Sequence, residues 1–146
     1  EDDPDACAHN DLALVRLDPA DAAAVSATVP FFGGPTGVDT DGTRPGEVVR
    51  SYGNSELRGG VTLLSPKIGT SAGTGAHGWT QDVLTATPGI PGDSGSAFLS
   101  PDGTALGILS TLQLAPLPAA NGVSDLGRML DYARRHGAGD VTLVTG

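Results

Sequence analysis

Ser94 stands inside the glycine-lined stretch Thr87-Pro88-Gly89-Ile90-Pro91-Gly92-Asp93-Ser94-Gly95-Ser96-Ala97-Phe98-Leu99, whose residue types suit acyl transfer. Gly92 and Gly95 carry no Cβ, so the backbone beside Ser94 can take a tight or left-handed turn and let a substrate carbonyl approach the main chain. In such a turn the N–H groups of Gly92 and Ser94 can converge on one point and hold the negative charge of an attacked carbonyl oxygen. A serine hydroxyl is a weak nucleophile until a base takes its proton, so the turn needs a histidine held by a carboxylate. Asp11 offers the carboxylate: Leu12, Leu14 and Leu17, with Arg16 between, predict a strand entering a core with Asp11 at its mouth. The histidines do not complete the set. His9 lies two residues before Asp11 and reads as a polar flank, His77 falls in a loop, and His136 suits the end of a helix.

Two of these segments also resemble a known family. Gly92-Asp93-Ser94-Gly95-Ser96 resembles the nucleophile motif of trypsin-like (chymotrypsin-fold) serine proteases of the secreted type. His9-Asn10-Asp11-Leu12-Ala13-Leu14-Val15-Arg16-Leu17 is similar to that family's triad-aspartate segment, and the two occur in the family's order. The resemblance implies a peptidase acting through an acyl-enzyme, with Asp11 and Ser94 catalytic and the Gly92 and Ser94 amides as oxyanion hole. It implies a peptide or protein substrate, no cofactor, no metal and an extracellular location. The family's histidine precedes its aspartate by a long stretch, whereas ten residues precede Asp11. The expectation is therefore a C-terminal portion of the family's domain, inactive alone, with the histidine supplied by a complementary N-terminal segment or chain. The other reading is a protease-like binding or scaffold domain whose histidine has been lost.

Substrate contacts follow from the same resemblance. The residue six before the nucleophile lies at the base of the family's primary pocket, and here it is Pro88, which has no charge to hold Lys or Arg. Ser110-Thr111-Leu112 stands where the family has Ser-Trp-Gly, which pairs with the substrate backbone, and Asn121-Gly122-Val123 resembles the next pocket strand. Ser110, Leu112 and Gly122 are thus expected beside the substrate, with Leu112 limiting the pocket to small or medium apolar side chains. Asp93 resembles the carboxylate that is paired to shape the oxyanion turn, and the sequence identifies no partner for it. The α/β-hydrolase order Ser94, then Asp102 or Asp125, then His136 needs a G-x-S-x-G elbow between strand and helix. Ser96 replaces the last glycine, and a β-patterned hairpin follows Ser94.

Composition sets the frame in which these residues must be held. A chain of 146 residues with 38% hydrophobic content fills one core. Twenty-two glycines and eleven prolines, without a long periodic apolar segment, predict short strands and turns. The expected fold is all-β, a chymotrypsin-like antiparallel barrel (a second barrel plus part of the first) with a C-terminal helix. A net charge of −9 argues against nucleic acid or anionic membrane as partner, because polyanions are held by Lys and Arg clusters. No apolar run approaches the roughly 20 residues of a membrane span. Cys7, the single cysteine, cannot form an internal disulfide, and with three scattered histidines it makes no metal-ligand spacing.

Taken in order as one domain, residues 1–45 read as the end of a first barrel and a connecting segment, with 1–10 an acidic surface stretch and a short strand at 24–29. Residues 46–123 read as a second barrel: strands at 48–52 and 61–64, a Gly/Ser/Thr/Ala-rich mobile loop at 66–78, a strand at 79–87, and a hairpin of 97–99 with 105–114. Residues 124–136 predict a helix from the spacing of Leu126, Met129, Leu130 and Ala133, capped by Ser124 or Asp125. A terminal strand is expected within 140–145.

Overall fold

A computed structural model of the chain describes residues 3–113 and 119–146; Leu114, read as the end of a hairpin strand, lies outside them. Six strands form a closed antiparallel barrel: β1 (Val48–Tyr52), β2 (Pro66–Gly75), β3 (Thr80–Thr85), β4 (Ala97–Leu99), β5 (Ala105–Leu112) and β6 (Asn121–Asp125). Their order around the barrel is β1-β2-β3-β6-β5-β4, and β4 closes it by pairing Arg50 with Leu99 and Ser51 with Phe98. This is the all-β, chymotrypsin-like antiparallel barrel with a C-terminal helix that the sequence predicts. Val49, Val83, Phe98, Leu106, Leu109 and Val123 point inward and make its core.

The helix is α3 (Leu126–Arg135), which begins where β6 ends. Asp125 caps it, its Oδ1 accepting the Arg128 N–H at 2.9 Å, while Arg134 and Arg135 sit in the last turn. Met129 is buried against Trp79 and Ala6, with Leu12, Ile108 and Tyr132 packed on them. That second cluster lies outside the barrel and anchors the N-terminal part of the chain.

Closure of the barrel explains most departures from the sequence expectations. A strand needs an unpaired edge, and a closed barrel has none. Residues 12–17 accordingly form no strand: Leu12 packs on the second cluster, but Leu14, Val15 and Leu17 are exposed, Val15 to 81%. Residues 61–64 form a tight turn in which the Ser65 N–H donates to the Thr62 carbonyl, because both sides of β1 are already taken by β2 and β4. Residues 140–145 run as irregular chain with no strand partner among the described residues, and 24–29 contribute only the single bridge of Val29 to Gly33. A further short helix, α2 (Pro19–Ala22), lies in the connecting segment.

Two further corrections concern segments read as loose. Residues 66–75, expected as a mobile loop, are β2, the longest strand, paired on both sides. Its inward residues Lys67 and Ser71 are polar and its outward Ile68 is apolar, the inverse of the usual alternation. Gly69 is required there, since a Cβ would run into the Leu84 carbonyl of β3. The acidic start is a helix, α1 (Pro4–His9), with Asp3 as N-cap and Pro4 at its first position.

Candidate functional site

Asp93 is the best-held residue of the Ser94 turn. Its side chain is fully buried and accepts from the Ser55 N–H at 3.0 Å, the Ile90 N–H at 3.1 Å, the Arg58 guanidinium, and the Lys67 ammonium at 3.1 Å. Burial by itself would raise the Asp93 carboxyl, but the hydrogen bonds from Arg58, Ile90, Lys67 and Ser55 outweigh it and hold the group at about 2. These partners are the ones the sequence did not reveal. Gly53, at the end of β1, leaves the space in which they meet: a Cβ there would strike the Asp93 carboxylate and lie 2.8 Å from Lys67 Cε.

With Asp93 turned inward, the backbone around it faces out. The Asp93 N–H closes a turn onto the Ile90 carbonyl at 2.9 Å, the Ser96 N–H bonds the Asp93 carbonyl at 3.0 Å, and the Gly95 N–H bonds Leu109 on β5 at 2.8 Å. The amides left over are those of Gly92 and Ser94, which form no hydrogen bond with any described residue. Gly92 has φ +94, and a Cβ there would meet Ser55 Oγ at 2.8 Å, so both its dihedral and its surroundings require glycine. Ser94 is exposed and its hydroxyl has no partner among the described residues. The turn thus offers two backbone N–H donors that no described residue occupies.

Ser94 opens onto a pocket of about 230 Å³, lined on its walls by Gly89, Ile90, Leu109, Ser110, Leu112 and Asn121. Among the described residues no charged one lines it. Ser110 and Leu112, expected beside the substrate, are thus brought together with Ser94. Pro88 is not in the lining: its carbonyl accepts from Arg58 Nη2 at 3.1 Å, and the next residue, Gly89, reaches the pocket instead. Gly122 is buried against Thr111 and Thr80 and likewise does not line the pocket, though its carbonyl accepts the Ser110 hydroxyl at 3.1 Å. Asn121, one residue earlier, is the one that faces it.

Asp11 lines a second cleft, of about 480 Å³, with His9, Asn10, Asp82, Ser110, Thr111 and Gln113. Ser110 and Thr111 belong to both clefts, so the Asp11 and Ser94 sites adjoin across one short piece of β5. The placement of Asp11 depends on α1. Ala6 is buried beside Trp79, the Trp79 indole N–H donates to Asp3 at 2.8 Å and holds that carboxyl below its ordinary value, and Ser124 Oγ donates to the His9 carbonyl at 3.4 Å.

Neither His77 nor His136 lines the cleft of Ser94 or that of Asp11. His77 is exposed and its Nδ1 lies 2.5 Å from Asp5, and His136 stacks on Tyr132 at the end of α3. Asp102 bonds within its own turn to Thr104, and Asp125 caps α3 while accepting from Gln81 Nε2 at 3.2 Å. The hydrolase-type order of Ser94 with these residues is therefore not assembled. Asp125 lines a larger cleft of about 670 Å³ with Gln81 and Arg128, which contains neither Ser94 nor Asp11. Among the described residues no group of three or more His, Cys, Asp or Glu is disposed to hold a metal ion, and no helix is long and apolar enough to cross a membrane. Comparison with protein-family models and with curated proteins finds no match to the chain in either.

Proposed function

We propose that the chain is the nucleophile-bearing part of a trypsin-like serine endopeptidase of the secreted type, completed by a histidine from a segment N-terminal to it. The observation that carries this reading is the Ser94 turn: a hydroxyl and two amides with no partner among the described residues, held by a buried carboxylate, beside a pocket without charged lining among those residues, whose wall on β5 it shares with the cleft of Asp11. In the reaction the complementary imidazole takes the Ser94 proton while Oγ bonds to the substrate carbonyl carbon. The carbonyl π pair moves onto oxygen, where the Gly92 and Ser94 N–H groups receive it. Collapse of the adduct breaks the C–N bond, and the departing amine takes the proton back from the imidazolium, leaving Ser94 acylated. Water then repeats the sequence, releasing the acid and restoring the hydroxyl. Asp11 holds the imidazolium through the charge it develops, and the uncharged pocket takes the side chain before the cut.

One observation favours a second reading, a binding or scaffold domain: no histidine of the described residues bonds Ser94. Labelling with a serine-directed fluorophosphonate separates the two. The chain alone is expected to label at the slow rate of an ordinary exposed serine. Adding a histidine-bearing segment, or free imidazole at high concentration to occupy the cleft beside Asp11, is expected to accelerate Ser94 labelling at least tenfold, and Ser94→Ala to abolish it. No acceleration with either would sink the peptidase reading, and rapid labelling of the chain alone would sink the need for an outside base.

A further inference from the structure

The cleft of about 670 Å³ shares no lining residue with the clefts of Ser94 and Asp11. Helix α3 contributes Arg128, Asp131 and Arg134 to it, and the segment before β1 contributes Asp41. Its buried polar groups are satisfied. Asp125 Oδ1 accepts the Arg128 N–H and Oδ2 the Gln81 amide, while Gln81 Oε1 accepts from Thr43 and Thr74. The groups left over are on the exposed side chains. A Cβ on Gly78 would strike the Arg128 guanidinium, which lies 5.9 Å from the centre of the Trp79 ring. Packing thus holds the group in place, yet none of its N–H groups has a hydrogen-bond partner among the described residues; Asp3, its ion-pair partner, stands off at 4.0 Å. Arg134 donates through Nε to the Val141 carbonyl at 2.9 Å, and its two terminal nitrogens have no partner among the same residues. Asp41 accepts the Thr40 hydroxyl on one oxygen and nothing described on the other. Asp131 pairs with Arg135 at 3.0 Å, which leaves Arg128 and Arg134 balanced by Asp41 and Asp125.

We infer that this cleft is a second binding site, independent of the Ser94 reading, for a short peptide held by its two free ends: the carboxylate on the Arg128 guanidinium and the ammonium on Asp41. A fixed guanidinium with unspent donors matches a carboxylate in both shape and charge. An anion without a cationic group would also meet Asp41 and Asp125, and a cation without an anionic group would meet both arginines. A ligand that carries one charge of each sign satisfies both sides and adds no net charge. The volume is in the range that holds a small organic ligand, and Val38 and Leu130 in the lining offer apolar contact to its body. A polyanion does not fit this balance, and the chain's net charge of −9 opposes one further.

The test uses the chain as it is and three probes: the dipeptide Ala-Leu, its N-acetyl form without the ammonium, and its carboxamide without the carboxylate. Binding is read from the amide resonances of Gly78 and Gly127, which line this cleft, beside those of Gly92 and Ser94, which do not. In the wild type, Ala-Leu is expected to move Gly78 and Gly127, and each blocked form to bind about tenfold more weakly or worse, since each loses one charge-assisted hydrogen bond. That comparison needs no variant. Arg128→Gln should weaken Ala-Leu about tenfold and leave the carboxamide unchanged, and Asp41→Asn should weaken Ala-Leu and leave the N-acetyl form unchanged. Both side chains are exposed, and a thermal melt confirms that each variant keeps its fold. If Ala-Leu moves neither glycine, or moves only Gly92 and Ser94, the inference is overturned. Equal or tighter binding of either blocked form overturns it as well, because the cleft would then read one charge and not two. So would Ala-Leu affinities unaltered in both variants. None of these results touches the labelling of Ser94, so the proposed function stands or falls separately.

Discussion

Gly89 and Asn121 exchange hydrogen bonds in both directions, the Gly89 N–H donating to Asn121 Oδ1 at 2.7 Å and Asn121 Nδ2 donating to the Gly89 carbonyl at 3.1 Å. A side-chain amide thus pairs with the main chain as a neighbouring strand would, and its second N–H reaches the Thr111 carbonyl at 3.2 Å. Asn121 is 1% exposed, so this amide bonds the pocket wall from a buried position.

Asn121→Ala is expected to cost about 3 kcal/mol, because it leaves the N–H and the carbonyl of buried Gly89 without their partner. Urea unfolding measures this. The same substitution enlarges the pocket of about 230 Å³ beside Ser94. In the assembled enzyme the wild type is expected to prefer small or medium apolar side chains before the cut and to reject Lys and Arg, since no carboxylate lines the pocket. Asn121→Ala should admit Phe. A peptide library varied at that residue decides it: a wild-type preference for Lys or Arg would contradict the uncharged lining, and an unaltered profile in the variant would remove Asn121 from the specificity wall.

Acid stability should follow Asp93. Its folded value of about 2 lies below the ordinary 3.8, so its contribution is present in full above the unfolded value and is lost as pH falls from about 5 through 2. The shift corresponds to about 2 kcal/mol. Asp125, raised chiefly by burial, acts with the opposite sign: its contribution exists at low pH and disappears as pH rises through its folded value. Asp93→Asn is therefore expected to destabilise at pH 7 by about 3–5 kcal/mol, since two buried cations lose their counter-charge, and by much less at pH 2. Unfolding free energies of both proteins across that range check it. A constant gap would mean that Asp93 is not the titrating group.

The part of this arrangement visible in the sequence is the part carried by local pattern. The Ser94 stretch announces itself by its glycines, the hairpin of β4 and β5 by the Pro101-Asp102-Gly103 turn, and α3 by its apolar spacing and its cap, all of which depend on neighbours in the chain. β2 is illegible because its inward Lys67 pairs with Asp93 and its inward Ser71 bonds Thr43, so neither position is filled for the core. Lys67 and Ser71 occupy positions where an alternating pattern demands apolar residues. The partners of Asp93 were hidden for the same reason: Arg58 and Lys67 lie 35 and 26 positions away in sequence and meet it only through barrel closure. Residues 12–17 mislead in the other direction. Their apolar run is real, but the edge it would need is already paired.

Three glycines around the turn should respond differently to alanine. At Gly53 the dihedral is ordinary, but a Cβ collides with the Asp93 carboxylate and the Lys67 stem, so Gly53→Ala is expected to lose about 1–3 kcal/mol and to disturb both ion pairs. Gly92→Ala combines φ +94 with contact to Ser55 and should be as damaging. Gly95 has φ +82 but open space around its missing Cβ, so Gly95→Ala bears only the dihedral cost of about 1 kcal/mol. Thermal melts of the three rank them. If Gly53→Ala were as stable as the wild type, the packing of β1 against Asp93 would be wrong.

Ser94→Ala isolates chemistry from folding. The hydroxyl is exposed and has no hydrogen-bond partner among the described residues, and alanine occupies the same turn without a clash, so the change in stability should stay within about 0.5 kcal/mol. In the assembly with the histidine-bearing segment, loss of the nucleophile should remove the acyl-enzyme route and lower turnover by about 10⁴-fold or more, leaving what the oxyanion donors and binding supply. Binding of an N-acetylated tripeptide that ends in leucine with a free carboxylate should persist, because Gly92 and residue 94 still present their amides. Turnover beside a thermal melt and that binding isotherm gives three separate readings. Retained turnover would take Ser94 out of the mechanism, a large fall in melting temperature would make it structural, and loss of peptide binding with the fold intact would mean that the hydroxyl, not the amides, receives the anion.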